Sequence, residues 1–147
     1  MTKKSKKTLL EFDKSSVPTY ELLKASLRGG DKPSPTNTEL FMIAAMYGFA
    51  NGNKADDVRR SNTGPRVEYL TPEEDALLGA IQLAETGDAS ALSNFDLRYE
   101  IAEKYAEGGI RLLKAELEKP GDFAADFATR MLKLAKSLSV EPIDQDS

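Results

Sequence analysis

The chain has 147 residues, 20 of them basic and 24 acidic, with a net charge of −4 and 40% apolar content. This is long enough for one self-sufficient core and has the composition of a globular domain. It contains neither cysteine nor histidine, which excludes disulfides, thiol nucleophiles, thiolate metal sites, the Ser-His-Asp triad and the usual general base near neutral pH.

The first residues, MTKKSKK, carry Lys3, Lys4, Lys6 and Lys7. With those four set aside, 16 basic residues face 24 acidic ones, a balance of −8. An acidic body is a poor general surface for nucleic acid, although a local patch can still bind it. The plain reading of the arm is a solvated terminus; the sharper one is an arm that touches phosphate. It lacks the apolar core of a signal peptide, so a cytoplasmic protein is expected. Residues 1–15 read as a basic flexible tail, 16–140 as one helical domain and 141–147 as a frayed end.

Residues 8–14, TLLEFDK, are too few to separate strand from helix. Ser15 or Ser16 can cap a first helix with Pro18 in its first turn, Glu21 near the capping-box position and Gly29-Gly30 as the stop. After a Gly/Pro/Ser connector comes the longest apolar run of the chain, Leu40 to Tyr47. A helix apolar all round is normally buried, and this run is far short of the roughly 20 residues that cross a bilayer. Thr36 and Glu39 have capping-box spacing and Gly52 stands where the helix can end, which makes this the central helix.

Beyond Gly52 the texture changes. NKADDVRRSNTGPRVEY holds few core candidates but has Lys54, Arg59, Arg60 and Arg66 around a Ser-Asn-Thr-Gly-Pro turn. Val67 and Tyr69 alternate with polar neighbours, which allows a short strand at 66–70, half of a hairpin. A third helix starts at Thr71 with Pro72 at its first position, Glu74 closing a capping box and Gly87 as its stop. The run Glu73-Glu74-Asp75 suits the helix dipole and needs no further explanation. A long helix follows from about Asp96 to Leu117. Gly108-Gly109 inside it costs roughly 1 kcal/mol per glycine relative to alanine, and the unbroken apolar phase points to a close helix crossing there. After Pro120-Gly121, Phe123, Phe127, Met131, Leu134 and Leu138 mark an amphipathic last helix with Arg130, Lys133 and Lys136 opposite. The fold class is therefore mainly α: a single compact domain of about five helices, with room for one short β-hairpin near 58–70.

The search for chemistry is largely negative. No glycine pair fits a phosphate loop or a dinucleotide fingerprint. No acidic residue has a lysine two places later, which removes one nuclease pattern. Among metal sites only a carboxylate one for Mg²⁺, Mn²⁺ or Ca²⁺ stays open; Asp56-Asp57 would need a third carboxylate and reads as a solvated turn. No cofactor or metal is expected. The candidate binding residues are Lys54, Arg59, Arg60 and Arg66 with the arm Lys3, Lys4, Lys6 and Lys7. Arginine's planar fork suits phosphate or carboxylate, and the turn can offer backbone N–H groups to a phosphate. The bland alternative is that these arginines pair with the acidic body. Tyr47, Tyr69, Tyr99 and Tyr105 read as core or rim residues.

The order ELFMIAAMYGFANGNK, a basic stretch, LLGAIQLAETGDASAL and EIAEKYAEGGIRLLKAEL resembles the small Dnd-system-associated proteins, encoded beside DNA phosphorothioation genes in bacterial anti-phage islands. The likeness lies in the pattern at 41–49, the run at 80–88 and the run at 103–109, and spans residues 37–130. It implies a role in phosphorothioate-linked modification or restriction and brings no catalytic residues. The expectation is thus a non-enzymatic accessory or adaptor protein that docks onto a larger protein of such a system, possible contact with DNA included. The alternative is a small DNA-binding regulator using the basic loop and arm. A homodimer through the last helix is a further option.

Overall fold

A computed structural model describes residues 7–28, 33–119 and 121–138. Lys3, Lys4, Lys6, Gly29-Gly30, Pro120 and the end from 139 onward lie outside the described residues. Among those described there are five α-helices: α1 (Val17–Leu27), α2 (Asn37–Ala50), α3 (Pro72–Thr86), α4 (Phe95–Leu117) and α5 (Phe123–Leu138), with short 3-10 turns at Lys14–Ser16, Val67–Tyr69 and Ala89–Ser93.

The central helix is α2. Thr36 accepts the Glu39 N–H at 3.1 Å while the Glu39 carboxylate accepts the Thr36 N–H at 2.9 Å, so two orphan donors are satisfied reciprocally. Leu40, Phe41, Met42, Ala44, Ala45, Tyr47 and Gly48 are all buried. The most extensive contact of the fold is α2 against α4. It depends on glycine in both helices: a Cβ on Gly109, where a close crossing was expected, would collide with the Ala44 carbonyl, and one on Gly48, which was not singled out, with the Tyr105 carbonyl. Gly108 plays the same part toward the chain leaving α2, where a Cβ would meet the Asn53 carbonyl. The two helices touch backbone to backbone.

The start of α3 has the second complete capping box, Thr71 with Glu74, and Gly87 ends it in the left-handed region at φ 64°. Its inner face, Leu78, Gly79, Ile81 and Gln82, lies on α4. Asp75 does more than favour the dipole. It accepts from Arg98 Nη1 at 2.8 Å and from the Tyr99 hydroxyl at 2.9 Å. Arg98 also donates to Gln82 Oε1 at 2.9 Å and to the Leu92 carbonyl at 2.8 Å. This buried network ties α3, the Ala89–Ser93 turn and α4 together. At α5, Phe127 is buried against Tyr47 and stacked on Phe123.

Three expectations change. Ser16 does not cap α1 through its side chain, and α1 has no capping box; its hydroxyl instead donates to Glu107 Oε1 at 2.6 Å, because a buried carboxylate needs that donor more than an exposed helix end does. Among the described residues there is no hairpin near 58–70 and no strand. Val67–Tyr69 is a 3-10 turn, and the one bridge joins Arg66 to Leu9. The physical reason is that residues 59–67 find their backbone partners far away in sequence, in residues 8–14, and Pro65 offers no N–H for a regular ladder. The third change follows directly: residues 8–14 are not tail. Leu10 and Phe12 are buried, with Phe12 stacked on Tyr20 at 3.7 Å. Each such side chain contributes about 1.5–3 kcal/mol of burial.

Candidate functional site

The loop between α2 and α3 is anchored at both ends by α4 and by the N-terminal segment. Asn53 Nδ2 donates to the Gly108 carbonyl at 2.8 Å, and the Ala55 N–H to the Lys104 carbonyl at 3.0 Å. On the other side Leu10 and Phe12 donate to the carbonyls of Pro65 and Thr63, each at 2.8 Å, and Val67 to that of Thr8 at 3.0 Å. Gly64 is required where the strands of chain touch: its φ is 147° and a Cβ would collide with the Leu10 carbonyl.

The turn does form an anion-binding concavity, but the anion comes from the chain itself. Ser61 and Asn62, the latter in the left-handed region at φ 59°, both point their N–H groups at Glu11 Oε1, at 3.1 and 2.9 Å. The Arg59 N–H goes to Asp13 Oδ1 at 2.7 Å. Backbone donors that the sequence suggested for a phosphate are therefore taken by two buried carboxylates, whose oxygens would otherwise lack partners. Burial raises the pKa of Asp13, but the N–H of Arg59, both donors of Ser15 and the Arg59 charge outweigh it, leaving the carboxyl below its ordinary 3.8. A group with a depressed folded pKa contributes stability above its unfolded value, and that stability is lost as pH falls below about 3.8 toward the lower folded pKa. Asp13→Asn should lower stability at neutral pH and shrink the loss on acidification below pH 4, read from urea midpoints over a pH series. An undiminished acid loss would place the titration elsewhere.

The side chains of the candidate residues are disposed as follows. Lys54 reaches Glu85 at 2.9 Å, beside Tyr105, and this hydrogen bond is the main reason that the Glu85 pKa is lowered. Arg59 pairs with Asp13 at 3.5 Å, Arg60 with Glu11 at 4.0 Å and Arg66 with Glu68 at 3.2 Å. The three arginine side chains remain 65%, 85% and 59% exposed, so these pairs are surface contacts of small energy and each guanidinium keeps donors toward solvent. Lys7 belongs to the anchored segment, not to a free arm. Its ammonium is 3.0 Å from Glu103 and its N–H donates to Asp96 at 3.1 Å. Glu103 is buried, which raises its pKa against the opposing effect of the Glu11 N–H and Lys7.

Between this segment and the first half of α4 runs an open groove of about 410 Å³, with Lys7, Glu11, Arg60, Asp96 and Glu100 among its walls. It continues past Asp57, Glu103 and Lys104. Charges of both signs line it. Among the described residues no three carboxylates are placed to hold a metal ion, and Asp56 is exposed. Arg130 of α5 lies elsewhere. It is bound to Glu116 at 2.8 Å, twelve residues and hence about 18 Å along α4 from Lys104. Tyr47 and Tyr99 are buried and Tyr105 is a rim residue, as their phase implied, while Tyr69 stands 65% exposed just after the loop.

Sequence reasoning missed Glu11 and Asp13 as the acids that organise the loop, and Glu103 and Glu107 as the acids of α4 that hold Lys7, the Glu11 N–H and Ser16. Their one signal was an acidic residue set inside an apolar stretch, as in Leu-Glu-Phe-Asp.

The family model described as DNA sulphur modification system-associated protein 4 matches residues 18–145. The chain belongs to that family. The match runs from α1 to beyond α5, wider than the resemblance at 37–130, so α1 is part of the family's domain and not an addition to it. No curated protein and no solved structure matches the chain. Membership in this DNA sulphur modification family associates the protein with that system; among its described residues no helix is long and apolar enough to cross a membrane.

Proposed function

We propose that this family member is a cytoplasmic, non-enzymatic accessory or adaptor protein of a DNA phosphorothioation-linked modification or restriction system active in phage defence. It works by docking a larger protein of that system onto the surface made by Lys54, Arg59, Arg60 and Arg66 and the groove beside them. The observation that carries this reading is the internal capture of the loop's N–H groups by Glu11 and Asp13. A loop held in that way is rigid, and what it offers outward is a set of guanidinium groups interleaved with carboxylates. Such a mixed pattern suits a protein surface, where opposite charges set register and partner choice. A phosphate backbone asks for a continuous basic track, and the separation of the loop from Arg130 speaks against one.

Co-purification from the native operon with nucleic acid retained tests the proposal. Recovery of a larger protein of the system, lost on combined Arg59→Ala, Arg60→Ala and Arg66→Ala, is the expected result; recovery of the chain alone would overturn it.

The exposure of those arginines favours one second reading, a small DNA-binding regulator that uses them with Lys3, Lys4, Lys6 and Lys7. It predicts DNA affinity that falls steeply with salt. For three phosphate contacts removed by the triple variant, the slope of log K against log[salt] should flatten by about 3. A slope that does not move would take the loop out of that reading.

A further inference from the structure

The segment that pairs with the basic loop has a second edge. Leu9 and Arg66 form an antiparallel pair, flanked by the Leu10 N–H on the Pro65 carbonyl and the Val67 N–H on that of Thr8. In a pair of this kind the N–H and C=O of Leu9 itself point away from the loop. The N–H groups of Lys7 and Glu11, two residues to either side, share that direction. Both are taken by α4: Asp96 Oδ1 accepts the first at 3.1 Å and Glu103 Oε2 the second at 2.7 Å.

Asp96, Glu100 and Glu103 stand at i, i+4 and i+7, in one line along α4. From Lys7 to Glu11 the extended chain spans about 13 Å, and from Asp96 to Glu103 the helix spans about 10 Å. Glu100 therefore comes opposite Leu9. Yet this middle rung is not made. Neither the Leu9 N–H nor the Glu100 carboxylate has a partner among the described residues, and both residues line the open groove of about 410 Å³.

The neighbouring charges are engaged. Glu11 faces the Ser61 and Asn62 N–H groups and Arg60, Glu103 holds Lys7, and Lys104 acts on Glu85. Asp57 is the exception: it lines the continuation of the groove with Glu100 and has no partner among the described residues. The site thus lacks a cation for two carboxylates, an acceptor for the Leu9 N–H and a donor for its C=O. One basic residue of a polypeptide carries all three. Asp96 and Glu103 close the edge on both sides of Leu9, which leaves no length for an added strand but admits a single residue at a turn. We infer that the groove receives a lysine or arginine from an exposed turn of the partner protein. Its main chain exchanges two hydrogen bonds with Leu9, and its cation lies on Glu100 and Asp57. This rests on the docking reading above and names the group that the partner inserts.

Capped Gly-Arg-Gly is the probe, titrated into the whole chain and followed through the backbone amide resonances. The Leu9 amide should shift saturably, with a dissociation constant of about a millimolar. Gly-Ala-Gly should bind about fivefold more weakly, the scale of an exposed ion pair, and Glu100→Gln should remove that difference. Glu100 makes no bond within the described fold, so the urea midpoint of this variant should stay at that of the parent. A Leu9 amide that does not respond, or equal affinity for Gly-Glu-Gly, would overturn the inference. So would a Leu9 amide protected from exchange in the free chain and released by deleting residues 2–6, which would assign the groove to the start of the chain. In the co-purification, Glu100→Lys should reduce recovery of the larger protein; full recovery would overturn the inference and leave the docking reading standing. If the parent chain recovers no larger protein, the docking reading fails, and the peptide titration still decides the groove.

Discussion

Gly109→Ala should destabilise the protein by about 3 kcal/mol or more, enough to remove much of the stability of a typical domain. The sign is the point. In an ordinary helix interior, alanine in place of glycine gains about 1 kcal/mol because the unfolded chain loses freedom. Here the new Cβ would overlap the Ala44 carbonyl and stand 2.7 Å from the Gly48 nitrogen. Neither neighbour is a flexible side chain that can swing away; both are backbone of the central helix. Relief therefore requires α2 and α4 to separate, which opens the largest contact of the fold. Urea denaturation gives the answer directly, and a midpoint equal to or above that of the parent protein would refute the crossing.

Arg98→Ala should cost about 3–5 kcal/mol and lower Tm by roughly 10 °C. The guanidinium is buried, lies 4.5 Å from the centroid of the Phe95 ring and donates to three acceptors, two on α3 and one in the Ala89–Ser93 turn. Truncation leaves Gln82 Oε1 without its donor at a site closed to water, and Asp75 without its cation. Gln82 would still hold the carbonyls of Ala91 and Asn94, at 2.7 and 3.0 Å. The 3-10 turn should thus loosen without detaching. Arg98→Met separates the causes, since it keeps most of the volume and none of the hydrogen bonds. If methionine restores the melting temperature, packing and not the polar network is what Arg98 supplies.

The elements that were readable in advance are those whose signals are local. Thr36/Glu39 and Thr71/Glu74 are four-residue patterns that satisfy their own helix ends, and both close as expected. Gly108-Gly109 was readable because the apolar phase ran on through it, which only a tight crossing tolerates. The family likeness was carried by the same helices. What escaped was long-range. Leu10 and Phe12 stand in a stretch too short to separate strand from helix, and only Pro65 and Thr63, more than fifty residues on, fix them in place. Glu11 and Asp13 look like solvated acids, and only the folded loop supplies the N–H groups that allow their burial. Arg98 and Gln82 likewise read as surface residues of two separate helices, because neither shows its partner in its own neighbourhood.

The placement of residues 7–14 has a consequence for the order of events during synthesis. This segment is made before its partners, which are Arg59 to Val67 and, later still, Asp96 and Glu103. Closing contacts across some ninety residues is the slow part of folding, since the loop entropy must be met before the contacts return it. Leu10 and Phe12 must therefore wait, exposed, until α4 has been made and laid against α2. A segment made well before the basic loop is thus fitted only once α4 is in place, and the loop becomes ordered at that moment.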